Sequence, residues 1–212
     1  MTSQEIIDTF ELQVDDLTEL STTEELALLN RVYKRICSSR FWEFLKTEAT
    51  GSILSDATGS YITRPADFMY FSQNGMYTDN TMGGDMNYNP RYIFVGSNYD
   101  PVQIVNFSDR RMYRNSTNHA YMDAKNGIIR FTGTPSASTY EFDYIARPDD
   151  LELATSPVFP SQFHDMLSYG MAVENDILQL SEKARSYMGE NNAKFDEDLI
   201  NMVYWNAQQM QN

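Results

Sequence analysis

The chain has few of the residues that build reactive or metal-holding sites. Its 212 residues include one cysteine, Cys37, and two histidines, His119 and His164. A single thiol forms no internal disulfide, and no Cys/His pair stands at zinc spacing. Cys37, beside Tyr33, Ile36 and Arg40 on an expected helix, reads as a buried structural thiol. Positive charge is scarce as well: 16 Lys and Arg stand against 30 Asp and Glu, a formal −14. Proteins that grip nucleic acid by its phosphates usually present a basic face, and only Arg110, Arg111 and Arg114 gather here. There is no Gly-Lys-Ser/Thr phosphate loop and no Gly-x-Gly-x-x-Gly. No apolar run approaches a membrane span, and Met1-Thr-Ser-Gln-Glu lacks the basic-then-apolar layout of a signal peptide. The expectation is a protein made and assembled in a cytoplasm, without membrane contact or cofactor.

What is present suits a folded protein. Hydrophobic residues make up 42% of the chain, enough at this length for a core without staples. Ile7, Phe10, Val14 and Leu17 recur at spacings of 3, 4 and 3, which predicts a helix over Ser3 to Leu17. Ser21-Thr-Thr-Glu24 has the form of a capping box opening a second helix. That helix carries Leu26, Leu29, Tyr33 and Ile36 on one face, with Lys34, Arg35 and Arg40 towards its negative end. Trp42 and Phe44 follow as candidate plugs between helices and sheet.

From Thr47 to Ile145 the pattern changes to period two with turn residues. Tyr61-Ile-Thr, Phe68-Met-Tyr-Phe, Tyr92-Ile-Phe-Val and Val102-Gln-Ile-Val are strand candidates. Lys125-Asn-Gly-Ile predicts a type I′ hairpin joining Ala120–Asp123 to Ile128–Phe131. A turn at Gly133–Ser138 leads to a strand over Thr139 to Ile145. Between these, Tyr77 to Pro90 reads as a long aperiodic loop.

Pro160 suits the first turn of a helix. Phe163, Met166, Gly170, Val173, Ile177 and Leu180 then step by 3 and 4. A break near Ser181 starts a last helix with Ala184, Met188, Phe195, Leu199 and Met202 on one side. Its tail, Tyr204-Trp-Asn-Ala-Gln-Gln-Met-Gln-Asn, is uncharged. The expected fold is α+β, with N- and C-terminal helices forming a four-helix bundle and a β-rich insertion between them. The divisions fall at 1–46, 47–146 and 147–212.

Few motifs outweigh their ordinary explanations. His164 and Asp165 are adjacent on a helix and point apart, which fits helix-end polarity better than catalysis. Asp15-Asp16, Asp149-Asp150 and Asp196-Glu-Asp198 read as solvated faces or caps, since nothing selects a carboxylate pair for glycoside hydrolysis. Asp79-Asn-Thr-Met-Gly-Gly-Asp85 lacks oxygen ligands at Met82 and Gly83 and so breaks a calcium-loop scheme. Arg110-Arg111-Met-Tyr-Arg114 has two equal readings: a solvated loop, or a dock for an acidic neighbour such as a second copy. The 14 Tyr and 12 Met lean mildly towards interfaces.

The order of several segments carries more information than any one of them. Leu29-Asn-Arg-Val-Tyr-Lys-Arg-Ile-Cys runs into Arg40-Phe-Trp-Glu-Phe-Leu. Later, Tyr140-Glu-Phe-Asp-Tyr-Ile-Ala ends in Arg147-Pro-Asp-Asp-Leu, followed by Pro157-Val-Phe-Pro-Ser-Gln-Phe-His-Asp and a helix. This arrangement resembles the head-to-tail adaptors of short-tailed bacteriophages, also called connector or tail-tubular proteins. The likeness spans both ends and much of the middle and is least from Thr78 to Ala120.

The resemblance implies a non-enzymatic virion protein of the neck. It would form a homo-oligomeric, dodecameric ring on the portal protein, offer a platform to downstream tail or ring proteins, and let DNA pass through its lumen during ejection without specific binding. It also makes Tyr204, Trp205, Gln208 and Met210 candidates for docking on the portal or within the ring, with Arg110, Arg111 and Arg114 beside them. Trp42 and Phe159 are further aromatic candidates, with core burial as their ordinary reading. Two alternatives stand beside this one: a tail-associated polysaccharide- or peptidoglycan-cleaving enzyme, and an acidic binding module outside any virion.

Overall fold

The computed structural model describes residues 1–14, 20–71, 91–179 and 182–209. The chain divides into two compact units. One is Lys46–Ala146, and the other is built from the flanking segments Met1–Leu45 and Arg147–Asn212.

Among the described residues the flanking segments make four helices: α1 (Ser3–Val14), α2 (Thr22–Ser38), α3 (Asp165–Gln179) and α4 (Glu182–Gln209). Helix α1 buries Ile6, Ile7 and Phe10, and α2 buries Leu28, Leu29, Val32, Tyr33, Ile36 and Cys37. Leu17 and the expected break near Ser181 lie outside the described residues, as do the side chains of Ile177, Ala184 and Met188. The cap of α2 forms around one carboxylate. The Ser21 amide donates to Glu24 Oε2 at 2.8 Å and the Ser21 hydroxyl at 2.7 Å. Both bonds favour the ionised acid and hold Glu24 below the usual glutamate range.

Helix α3 is central. It buries Met166, Leu167, Ser168, Gly170, Met171, Ala172 and Val173, which occupy every side of the rod. A helix buried all round needs neighbours all round, and α1, α2 and α4 each pack on it. At Gly170 an added Cβ would lie 2.5 Å from Val32 Cγ1 of α2 and 3.0 Å from Phe195 Cε2 of α4. Glycine is what lets the two helices close on α3 at that point.

Among the described residues the middle unit is a sheet of nine strands. They are β1 (Lys46–Ser52), β2 (Leu54–Asp56), β3 (Gly59–Thr63), β4 (Phe68–Phe71), β5 (Arg91–Val95), β6 (Asp100–Val105), β7 (His119–Asp123), β8 (Ile128–Phe131) and β9 (Thr139–Ala146). Their order is β1-β9-β5-β6-β7-β8-β3-β2, with β4 also on β9. Neighbours are antiparallel except β6 and β7. The two ends of that order, β1 and β2, are one stretch of chain interrupted only by Ile53. A single extended segment therefore pairs with β9 through its first half and with β3 through its second, and the sheet is a nearly closed barrel.

Alternation fills the interior. Ile93 and Val95 of β5, Ile129 and Phe131 of β8, and Phe142 and Tyr144 of β9 point inward with Phe68 and Phe71. Phe71 packs 5.5 Å from Phe142 and Phe68 stacks 5.7 Å from Tyr144, measured between ring centroids.

The expected four-helix bundle with a β-rich insertion is thus corrected. The described residues form a nine-stranded, nearly closed sheet with a core of its own, and helices α1, α2 and α4 gather on α3, which is buried on every side over Met166–Val173, instead of forming four equal amphipathic rods. The hairpin of β7 and β8 forms, but its turn differs from the type I′ expectation. Ala124–Gly127 is a four-residue loop in which only Gly127 has positive φ, at 65°. Asn126 instead donates its side-chain amide to Asp123 Oδ2 at 2.7 Å, as in longer hairpin loops.

Candidate functional site

Two surfaces hold the residues that the sequence singles out. The first is the C-terminal end of α4. Its inward side is fixed by a buried amide: Asn206 Oδ1 accepts from the Glu43 amide at 2.7 Å and Nδ2 donates to the Phe41 carbonyl at 3.1 Å. Trp205 is half-buried, 6.4 Å from the Phe44 ring and 6.2 Å from Phe163. Trp42, fully buried, stacks 5.4 Å from Phe44 and donates its indole N–H to the Ile36 carbonyl at 2.8 Å. Phe159, also buried, lies 6.0 Å from Tyr33 and from Phe44. With those anchors inward, Tyr204 turns outward at 67% exposure, one helical turn beyond Ile200 at 54%. Gln208 is exposed beside them, and Met210 lies outside the described residues.

The second surface is the connection 106–118 between the parallel strands β6 and β7. It is irregular in sequence but well tied. Asp109–Arg111 forms a 3₁₀ turn closed by the Met112 amide on the Asp109 carbonyl at 2.9 Å. The Asn115 amide donates to the Thr132 carbonyl at 2.9 Å, and Tyr113 stacks 4.1 Å from His119. The three arginines play different parts. Arg110 lies 3.7 Å over the Phe107 ring and donates to the Phe107 carbonyl, so it is consumed in holding the loop. Arg111 and Arg114 are exposed, and neither has an ion-pair partner among the described residues. Between them Met112 is 81% exposed, with Phe107 at 52% nearby. Composition drew attention to the arginines; the apolar members, Phe107 and Met112, emerge only once the turn is folded.

The histidines serve local structure. His164 is buried, with Nε2 2.9 Å from the Phe159 carbonyl and Nδ1 3.1 Å from the Met1 amine. Burial lowers its pKa, against the opposing effect of the Phe159 carbonyl. His119 Nδ1 lies 2.7 Å from the Ser116 hydroxyl within the 106–118 connection. Among the described residues no group of three or more His, Cys, Asp or Glu is placed to hold a metal ion. Asp15, Asp16 and the Asp79–Asp85 segment lie outside those residues. Asp150 pairs with Lys34 at the surface, which is a structural contact. No helix among the described residues is long and apolar enough to cross a membrane.

Both surfaces present aromatic, Met or Arg side chains on tied supports, residue types that are enriched at protein interfaces. The model of the SU10 adaptor protein family matches residues 1–211. The chain belongs to the SU10 adaptor protein family. No curated protein matches it. A member of this family is a phage head-tail adaptor with a structural role, a component of the virion neck or tail that meets other neck proteins. The resemblance read from Leu29–Leu45 and Tyr140–Asp165 leads to the same family.

Proposed function

We propose that this adaptor forms a closed homo-oligomeric ring, dodecameric by family resemblance, beneath the phage portal. In that position it joins the portal to downstream tail proteins and forms part of the channel through which DNA is ejected. The observation that carries this reading is the family match over residues 1–211, joined to an α4 end that presents Tyr204 outward while Trp205 and Asn206 anchor it. A closed ring repeats one heterologous patch pair around an axis, and a chain with two separate outward surfaces can supply both halves. The formal −14 suits a lumen wall along which DNA slides without sticking. The helical segments would contribute the wall and the portal dock, and the sheet unit the contacts to neighbours and tail proteins. The adaptor acts by geometry, with no catalytic step.

The direct test mixes the purified chain with the portal ring of the same genome and weighs the product by native mass spectrometry. The expected product is a discrete complex with one adaptor per portal subunit. Because Asn206 and Trp205 belong to the fold, the surface is best probed by Tyr204→Asp and not by deletion from residue 204. That variant should keep its thermal unfolding midpoint and lose most portal binding. A well-folded parent chain that ignores an intact portal would rule out direct docking and favour a ring further down the tail.

A further inference from the structure

Charge is divided very unevenly between the two units. Residues 1–45 and 147–212 carry 20 acidic and 8 basic side chains, a formal −12, whereas residues 46–146 carry 10 and 8, a formal −2. Within each unit one patch stands out. On α4, Asp196, Glu197 and Ile200 are exposed at spacings of 3 and 4, which puts them on one side of the helix. None of Asp165, Asp196, Glu197 and Asp198 has an ion-pair partner among the described residues. Their crowding shows in Asp198, whose carboxyl is raised above the usual range by burial first and then by the charges of Glu197 and Asp165. This patch is acidic and apolar at its edge, and the exposed Lys194 one turn before it is paired with Glu190 at 2.9 Å.

The 106–118 connection is its chemical complement. Arg111 and Arg114 offer two uncommitted guanidinium groups, with the apolar Met112 and Phe107 between and beside them. The backbone beneath is fixed by the 3₁₀ turn, the Asn115–Thr132 bond and the Tyr113–His119 stack. A tied loop gives up less conformational freedom on binding than a loose one.

We infer that the 106–118 connection of one copy docks on the α4 face formed by Asp196, Glu197 and Ile200 of the neighbouring copy. Arg111 and Arg114 meet the carboxylates, and Met112 covers Ile200. The contact is heterologous, since the two patches differ, and so it propagates head to tail. Tyr204, further along α4, remains for the portal. The inference rests on the ring reading above and names the surfaces that would build the ring.

The test uses two variants of the full chain, each with one added cysteine, Met112→Cys and Ile200→Cys, mixed with a portal ring of the same genome and treated with a short bismaleimide. Buried Cys37 stays out of the reaction. A cross-linked dimer should form in the mixture of the two variants and not with either alone. Introducing Arg111→Glu and Arg114→Glu into the Met112→Cys chain should cut its yield about tenfold or more, because like charges facing across an interface are strongly unfavourable. Equal yields from the mixture and the single variants, or a yield that ignores the charge reversal, would overturn the assignment. Portal binding is weighed in the same samples by native mass spectrometry, so failure of the ring reading is seen separately from failure of this contact.

Discussion

Cys37 is fully buried, and burial pushes its thiol up to about 12, so little reactive thiolate exists near neutral pH. Ellman's reagent should therefore label no thiol in the native chain and one thiol per chain after denaturation. Glu25 carries the opposite lesson. It is a buried acid on α2 whose carboxyl is raised by burial first, then by the charge of Glu11, a hydrogen bond with Glu11, and the charge of Asp8. A folded-state value above the unfolded one means that the native state holds its proton longer. Stability is then full below the unfolded value and falls as pH rises through the raised one. Glu25→Gln should melt at a higher temperature than the parent near neutral pH and at the same temperature under acid conditions, as read by circular dichroism. The sequence places Cys37 in a core by its apolar surroundings. It gives no sign of Glu25, because the partners that matter lie on another helix and a charged residue in a first turn looks like ordinary capping.

Among the elements, α3 and the β2–β3 edge depend most on single side chains. Gly170→Ala would drive a methyl group against Val32 and Phe195. Overpacking of this kind costs about 1–3 kcal/mol, and thermal unfolding should show a midpoint lower by several degrees. On the sheet, Arg130 of β8 reaches across β3 to Asp56 of β2 with two bonds of 3.0 Å, while the Thr58 amide and hydroxyl donate to the same carboxylate. These bonds, that from Arg130 first, hold Asp56 well below the usual carboxylate range. Asp56→Asn keeps the shape and removes the charge pairing, so amide hydrogen exchange should quicken in residues 54–61 ahead of the rest of the sheet. Helix spacing made Phe163, Met166, Gly170 and Val173 legible as inward positions. It could not reveal that Leu167, Met171 and Ala172 on the other sides are buried too, because a single stripe is all that a 3-and-4 pattern tests. The strands from β3 to β9 were readable from alternation and turns. Lys46–Ser52 has little alternation to read, since only Ala49 of its seven residues is buried.

For the whole molecule, the formal −14 predicts weak attraction for DNA. Duplex DNA should run unretarded past the purified adaptor in a gel shift at physiological salt, and a retained band would count against the acidic-lumen part of the proposed function. Barrel closure was beyond the sequence because it is a relation between distant segments. Lys46 pairs with Ile145, and no local window contains both. The segment 46–56 that seals the sheet is therefore the first part of its unit to emerge from the ribosome and finds its β9 partner only when the whole unit has been made. At about 5–20 residues per second that wait lasts several seconds. Pairings so distant in sequence also belong to the slower class of folding reactions. An unpaired strand left open for so long invites association with other chains. Its composition suits the exposure: Lys46 and Glu48 are charged, Thr47, Thr50 and Ser52 are polar, and no large apolar side chain occurs between them. The strand that had to be least sticky during synthesis is the one that seals the barrel.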